Sequence, residues 1–181
     1  MLGFYVYLPK LFLLLTFIWL AEIIFFRPKV APGHEDSSFY LILISILISI
    51  VSTSLLNYNG LFNIKINPLS ISRIGLILYA AGLFIRLWAR IELGKYFSHH
   101  VTVQNDQPLI SSGPYRVFRH PLYIGLIILT LSVSIYLYNY AGFLISGVLM
   151  ISSLGKRVKK EEEDMERTIG QRYVEWKKKR I

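Results

Sequence analysis

The twenty residues Phe39–Tyr58, FYLILISILISIVSTSLLNY, contain no charged side chain. A helix needs about twenty apolar residues to cross a hydrocarbon core roughly 30 Å thick, so this stretch reads as a membrane span. Its hydroxyl residues, Ser45, Ser49, Ser52, Thr53 and Ser54, can bond their own backbone or a neighbouring helix, which makes them tolerable in lipid.

The pattern repeats on both sides. Leu11–Phe26 is apolar and is stopped by Arg27, Pro28 and Lys29. It lacks a small-residue cleavage site and further apolar runs follow, so it is expected to be a retained helix rather than a signal peptide. Glu22, near its end, is expected to reach the interface. A third run, Ile74–Trp88, has Gly75, Ala80, Ala81 and Gly82 for close helix approach. Arg86 and Arg90, four apart, share a face at its end. The fourth and fifth runs, Leu122–Tyr138 and Tyr140–Leu154, are separated by Asn139 and read as a tight antiparallel hairpin. Both are short, so tilt or shelter by protein is expected. From Lys156 onward the chain reads as a charged helix, with Met165, Ile169, Tyr173 and Trp176 on an amphipathic stripe. The expected fold is an all-α polytopic protein, one domain over residues 1–181. It has about five transmembrane helices, three within 1–90, then a polar loop, the hairpin and a C-terminal amphipathic helix within 91–181.

Composition agrees. Apolar residues are 54% of the chain and charged ones 17%, with mean hydropathy +0.48; a soluble domain carries about 25% charge. The absence of cysteine excludes disulfides, zinc–thiolate sites and a Cys nucleophile, and no metal site is expected. Net charge is +9, and ten of the twenty Lys and Arg lie between Lys156 and Arg180. In so apolar a chain this points to anionic membrane lipids and not to nucleic acid. The thirty residues Ile91–His120 are polar and rich in Gly, Pro and His; loops of that length are usually functional. Two helices separate this loop from the C-terminal segment, so the two share a side. Both are basic, and the positive-inside rule places them in the cytoplasm with Arg27 and Lys29. Lys65, Arg73 and the N-terminus fall outside. The expected location is the cell membrane of a prokaryote or the endoplasmic reticulum of a eukaryote.

Chemistry-bearing residues concentrate on that basic side. Arg119-His120-Pro121 stands directly before an apolar helix, with Tyr123 and Gly125 following. Proline suits a first helical position because it has no amide to satisfy. His120 then sits at a helix mouth, where backbone N–H groups and the positive dipole end favour a carboxylate or ribose oxygen. Tyr123 points to the same side, and Gly125 admits a ligand or a second helix close to the backbone. Taken alone, these residues equally describe an interfacial stop with Tyr123 in an aromatic belt.

Several blocks in order decide between the two. The stretch Gly113-Pro114-Tyr115-Arg116-Val117-Phe118-Arg119-His120-Pro121-Leu122-Tyr123-Ile124-Gly125, preceded by Leu109-Ile110, resembles the signature of the isoprenylcysteine carboxyl methyltransferase family. The related phospholipid N-methyltransferases share a similar stretch. Leu93-Gly94 with Phe97-Ser98, Val103-Gln104-Asn105, and downstream Arg157, Glu161-Glu162, Ile169-Gly170 and Tyr173 resemble further blocks of the family. The resemblance covers about half the chain, roughly Arg86 to Trp176.

The resemblance implies S-adenosylmethionine as cofactor, in a pocket on the cytoplasmic side. Carried over by position, its contacts fall on Gln104, Gln107, Pro108, Leu109, Ile110, Tyr115, His120, Pro121, Leu122, Tyr123, Glu161 and Glu162. Arg157 and Glu161 take the catalytic positions, with Arg157 toward a carboxylate substrate. These residues suit the cofactor: His120 for its carboxylate, Glu161 for ribose hydroxyls, Tyr115 and Tyr123 for a sulfonium. Glu163 and Asp164 read as a solvated acidic face. The chain departs from the family at Gln107, where His is frequent, at Leu126, where Trp is frequent, in a shorter link between Gln104 and Leu109, and in lacking a large N-terminal set of helices. The departures leave the acceptor open.

A carboxylate acceptor needs no general base, whereas an amine must lose a proton. The only candidate bases are His99, His100 and the Glu pair, which favours O-methylation. The leading expectation is therefore an S-adenosylmethionine-dependent carboxyl methyltransferase acting on a prenylated cysteine or another lipophilic acceptor. Methylation of phosphatidylethanolamine, and a non-catalytic membrane scaffold or transporter, stand as alternatives.

Overall fold

The computed structural model describes residues 2–25, 37–94 and 108–181, with side chains at 7–22, 38–94 and 108–181. These residues form helices α1 (Leu2–Phe25), α2 (Ser37–Tyr58), α3 (Pro68–Leu93), α4 (Pro121–Tyr136), α5 (Tyr140–Ile169) and α6 (Gln171–Lys178). A 3-10 turn, Gly113–Arg116, precedes α4.

The boundaries follow local chemistry. At the start of α3, the Asn67 side chain accepts from Ser70 N at 3.3 Å, and Pro68 occupies the first turn. The helix continues past Trp88 because the residues that follow, including Ala89 and Arg90, are buried against neighbours or favour helix. It stops at Gly94, whose N–H bonds to Arg90 O. The Asn139 side chain caps α5 by accepting from Gly142 N at 2.8 Å, which closes the expected hairpin.

Three expectations change. The fifth apolar run and the charged helix after it are one uninterrupted helix of 30 residues. At 1.5 Å per residue it is about 45 Å long, so its charged half from Lys156 onward projects beyond a hydrocarbon core. Gly170, at φ 66°, ends it, so Met165–Ile169 and Tyr173–Trp176 lie on two helices and not along one stripe. Glu22, in turn, does not reach an interface: it is buried in α1 with Arg86 Nε 2.7 Å from its Oε2.

Odd-numbered helices run one way and even-numbered ones the other. The α3 and α4 helices are antiparallel and touch at glycines. A Cβ on Gly82 would lie 3.0 Å from Gly125 O, and one on Gly125 would lie 2.9 Å from Gly82 O. Gly125 therefore serves a helix crossing and leaves no room there for a ligand. Antiparallel α2 and α5 are tied to α4 by hydroxyls, with Thr53 Oγ1 3.0 Å from Ser134 Oγ and Ser134 Oγ 3.2 Å from Ser146 Oγ. Parallel to α3, α1 is held by Phe12 stacked on Tyr136 and by Thr16 Oγ1 3.2 Å from Tyr79 Oη.

The core is layered. Trp19, Ile42, Leu83, Leu126 and Leu154, one from each of the five long helices, pack together with Met150 and Leu129 beneath them. One turn toward the basic end, the same five helices supply Glu22, Ser38, Arg86, Tyr123 and Arg157. This polar layer is the floor of the site. Outside the core, Phe17, Leu47, Phe84, Val148 and Ile151 are exposed, an apolar exterior suited to lipid and not to water. Among the described residues, three helices, Ser38–Tyr58, Pro68–Leu93 and Tyr140–Ile169, are long and apolar enough to cross a membrane. The shorter apolar α4 is sheltered by α2, α3 and α5.

Candidate active site

The mouth of α4 meets the charged half of α5. His120 is the N-terminal boundary residue of α4 and makes no side-chain cap, so its ring is turned outward to α5. Its Nε2 lies 3.2 Å from Glu162 Oε1, and its ring stacks on Tyr123 with centroids 5.7 Å apart. Tyr123 Oη donates to Glu161 Oε2 at 2.7 Å and accepts from Arg157 Nε at 3.1 Å. One phenol oxygen thus joins the acidic and basic residues that lie a turn apart on α5. Arg157 is buried, and its Nη1 donates to Ser38 Oγ on α2 at 2.9 Å.

Glu162 forms a separate clamp. Besides His120 it faces Arg119 Nη1 at 3.7 Å and Lys177 Nζ at 2.5 Å, and Lys177 also reaches Glu166 at 3.0 Å. Burial pushes the Glu162 carboxyl up. Hydrogen bonds from Lys177 and His120, with their charges, outweigh this and hold it below the usual value. The same bonds, to Glu162 first and then Glu166, raise the Lys177 ammonium. Burial raises the Tyr115 and Tyr173 phenols, reinforced by the acidic side chains around them, so both stay protonated donors.

The chain end fastens the loop that precedes α4. Trp176 Nε1 donates to Ile110 O and lies 3.1 Å from Ser111 Oγ. Arg180 Nε donates to Tyr115 O at 2.6 Å and its guanidinium covers the Trp176 ring at 4.2 Å. Arg119 N and Arg119 Nε donate to the carbonyls of Ile181 and Arg180, and Ile181 N returns a bond to Val117 O. On the α3 side, Ser112 Oγ donates to Glu92.

Against this geometry, residues 74–167 match the model of the isoprenylcysteine carboxyl methyltransferase (ICMT) family. The chain belongs to that family. The match begins in α3 and ends in α5, so it contains the Tyr123–Arg157–Glu161 cluster and leaves α6 outside. Protein-S-isoprenylcysteine O-methyltransferase B of Arabidopsis thaliana is 28% identical over 108 residues, 59% of this chain and 55% of that protein. The Xenopus laevis protein-S-isoprenylcysteine O-methyltransferase is 32% identical over 116 residues, 60% of this chain and 38% of the relative. That of Homo sapiens is 28% identical over 109 residues, 58% of this chain and 38% of the relative. The chain spans about half the length, or less, of these curated relatives.

Within this ICMT-family chain, the structure brings together His120, Tyr123, Arg157, Glu161 and Glu162. Pro121 is buried at the first turn of α4, Leu122 is half-buried beside it, and Tyr115 is buried with Arg86, Arg90, Glu92 and Glu161 as the charges acting on it. Pro108 is exposed, and Leu109 and Ile110 are half-buried, Ile110 held by Trp176. Gln104, Gln107, His99 and His100 lie outside the described residues. Of the two residues expected on a solvated acidic face, Glu163 is exposed and Asp164 is half-buried. Sequence reasoning missed Ser38, Lys177 and Arg180. The first is one serine among many in α2. The others looked like part of a lysine-rich membrane anchor, and the sequence carries no signal that singles them out.

Proposed function

We propose that this protein transfers a methyl group from S-adenosylmethionine to the carboxylate of an S-prenylated cysteine or another lipophilic acid, at the membrane face. The observation that carries the reading is the Tyr123 oxygen joined to both Glu161 and buried Arg157, within the segment that matches the family model. The named relatives support it through their printed activity, protein-S-isoprenylcysteine O-methylation.

The donor set fits the cofactor. Arg119 supplies positive charge, and His120 a ring N–H, at a helix N-terminus for an amino-acid carboxylate. Glu161 supplies oxygens for ribose hydroxyls or for a cationic centre, and Tyr115 and Tyr123 supply aromatic faces tolerant of a sulfonium. Pro108, Leu109, Ile110, Pro121 and Leu122 complete a less polar wall, with Gln104 and Gln107 assigned to the same cradle. Glu162 acts one step back, by fixing His120 and Arg119. When bound, the cofactor supplies an activated methyl on sulfur.

The chain's own residues then orient and desolvate. Arg157 is preorganised by Ser38 and Tyr123, and its guanidinium takes the acceptor carboxylate, which is already ionised and needs no base. Alignment of the reacting groups provides the acceleration. The acceptor's hydrocarbon chain enters sideways from lipid, along the exposed apolar faces of the helices. In this reading α1 and α4 join α2, α3 and α5 to make five crossings, and the basic end faces the cytoplasm.

The test incubates purified protein with methyl-labelled cofactor, an S-prenylated cysteine analogue and phosphatidylethanolamine. Base-labile label on the prenylcysteine is expected. Label in the phospholipid amine, or in neither, overturns the reading.

A further inference from the structure

Residues 176–181 reach from α6 back to the loop that precedes α4. We infer that Trp176 and Arg180 are positioning residues, which hold residues 110–117 in the shape that receives the methyl donor. The inference deepens the proposed function and rests on it for the identity of that ligand.

Three observations carry this. The first is where the bonds end. Trp176 Nε1 donates to Ile110 O at 3.1 Å, Arg180 Nε to Tyr115 O at 2.6 Å and Ile181 N to Val117 O at 3.0 Å. These carbonyls lie before, within and after the 3-10 turn Gly113–Arg116, so the turn is held at both ends. The loop's own backbone bonds are short-range, Tyr115 N to Ser112 O and Val117 N to Pro114 O, and do not fix its path over the bundle. A loop left to order when its ligand arrives weakens binding by that entropy; one ordered beforehand does not. The second is the residue held. Arg180 fixes the backbone of Tyr115, whose buried ring is assigned to the cofactor. The third is anchorage. The Trp176 ring stacks on buried Tyr173 with centroids 5.7 Å apart, and Arg180 lies 4.2 Å over it and donates from Nη1 to Trp176 O at 2.7 Å. One residue on from Trp176, Lys177 pairs with Glu162, the carboxylate that also meets His120. The segment thus ties the loop to the mouth of α4. It lies beyond residue 167, where the match to the family model ends.

The test compares Trp176→Phe, Arg180→Gln, Arg180→Lys and Lys179→Gln in the full chain. Trp176→Phe removes the N–H and keeps a ring. Arg180→Gln and exposed Lys179→Gln each remove one positive charge, so a tail that merely anchors to anionic lipid predicts equal effects from the two. Hydrogen exchange without ligand comes first. Protection factors of the Tyr115, Val117, Phe118 and Arg119 amides should fall at least about fivefold in Trp176→Phe and Arg180→Gln, the effect of one hydrogen bond, and stay at the wild-type level in Lys179→Gln. Calorimetry with S-adenosylhomocysteine should then show binding weakened by about fivefold in the same two variants, with Arg180→Lys, which keeps a charged donor, recovering most of the loss. In methyl transfer, KM for S-adenosylmethionine should rise by the same factor, while kcat and KM for the prenylcysteine analogue hold; a merely structural role would lower kcat and Tm instead. Unchanged loop protection, lowered protection with unchanged affinity, or equal effects from Arg180→Gln and Lys179→Gln would overturn the inference. A wild type that binds no S-adenosylhomocysteine would overturn the methyl-donor reading and the positioning role with it, and the ligand-free exchange data tell that failure from a failure of the tail to hold the loop.

Discussion

Removing one oxygen, by Tyr123→Phe, tests the architecture of the site. The ring stays, so stacking on His120 and packing at the start of α4 persist. What disappears is a donor to Glu161 at 2.7 Å and an acceptor from Arg157 at 3.1 Å. A hydrogen bond to a charged group contributes about 1.5–3 kcal/mol. Two are lost, but Glu161 and Arg157 stand a helical turn apart and can pair directly, which recovers part of the loss. The net effect should be close to one such bond, about 1.5–3 kcal/mol, or roughly a 10- to 150-fold fall in kcat/KM for methyl transfer. Arg157 keeps Ser38, so the fold should survive, with a small change in Tm. The assay is steady-state transfer to a prenylcysteine analogue, with thermal unfolding in the same detergent. Unchanged kcat/KM with unchanged Tm would show that this oxygen does not organise the reacting groups.

Other expectations concern the scaffold. Arg86→Met strands a buried Glu22 carboxylate and should cost about 3–5 kcal/mol, read as a lower Tm, with Glu22→Gln added to Arg86→Gln restoring much of it. Gly125→Val drives a side chain into the Gly82 carbonyl and the Arg86 backbone and should destabilise by at least about 1–3 kcal/mol; retention of wild-type Tm would contradict the α3–α4 crossing. Docking of α6 should depend on pH at both extremes. Glu162 is held below its usual pKa, so its contribution is present above that value and is lost as pH falls through the folded pKa. Lys177 is raised, so its contribution is present below the ordinary amine pKa and is lost as pH rises through the folded one. Protection factors of α6 amides, which remove the intrinsic pH dependence of exchange, should fall toward both acid and strongly alkaline pH; protection unchanged at both extremes would contradict the Glu162–Lys177 clamp.

The sequence was most legible where lipid dictates composition. Uncharged Phe39–Tyr58 had one reading, and α2 covers it. Asn139 announced the α4–α5 turn because an Asx cap between apolar runs has few other uses. The mouth of α4 was legible for a different reason: Pro121 fixes a helix start, so the positions of His120 and Tyr123 followed from helical geometry. Contacts between elements distant in sequence were not legible. Glu22 looked interfacial because its partner, Arg86, lies 64 residues away. Ser38 lies 119 residues from Arg157. Gly170 was quoted as part of a motif but was not read as the stop that divides the C-terminal charges between two helices. As a result the tail looked like a membrane anchor, whereas Trp176, Lys177 and Arg180 are turned onto the loop and α5.

The central claim is that the mouth of α4 and the carboxylates of α5 hold a methyl donor. Titration calorimetry of the purified chain with S-adenosylhomocysteine tests it most directly. The account predicts saturable binding by the wild type, weakened at least tenfold, about 1.4 kcal/mol, in both Glu161→Ala and His120→Ala. Absence of binding by folded wild-type protein, or equal affinity in all three proteins, would contradict it.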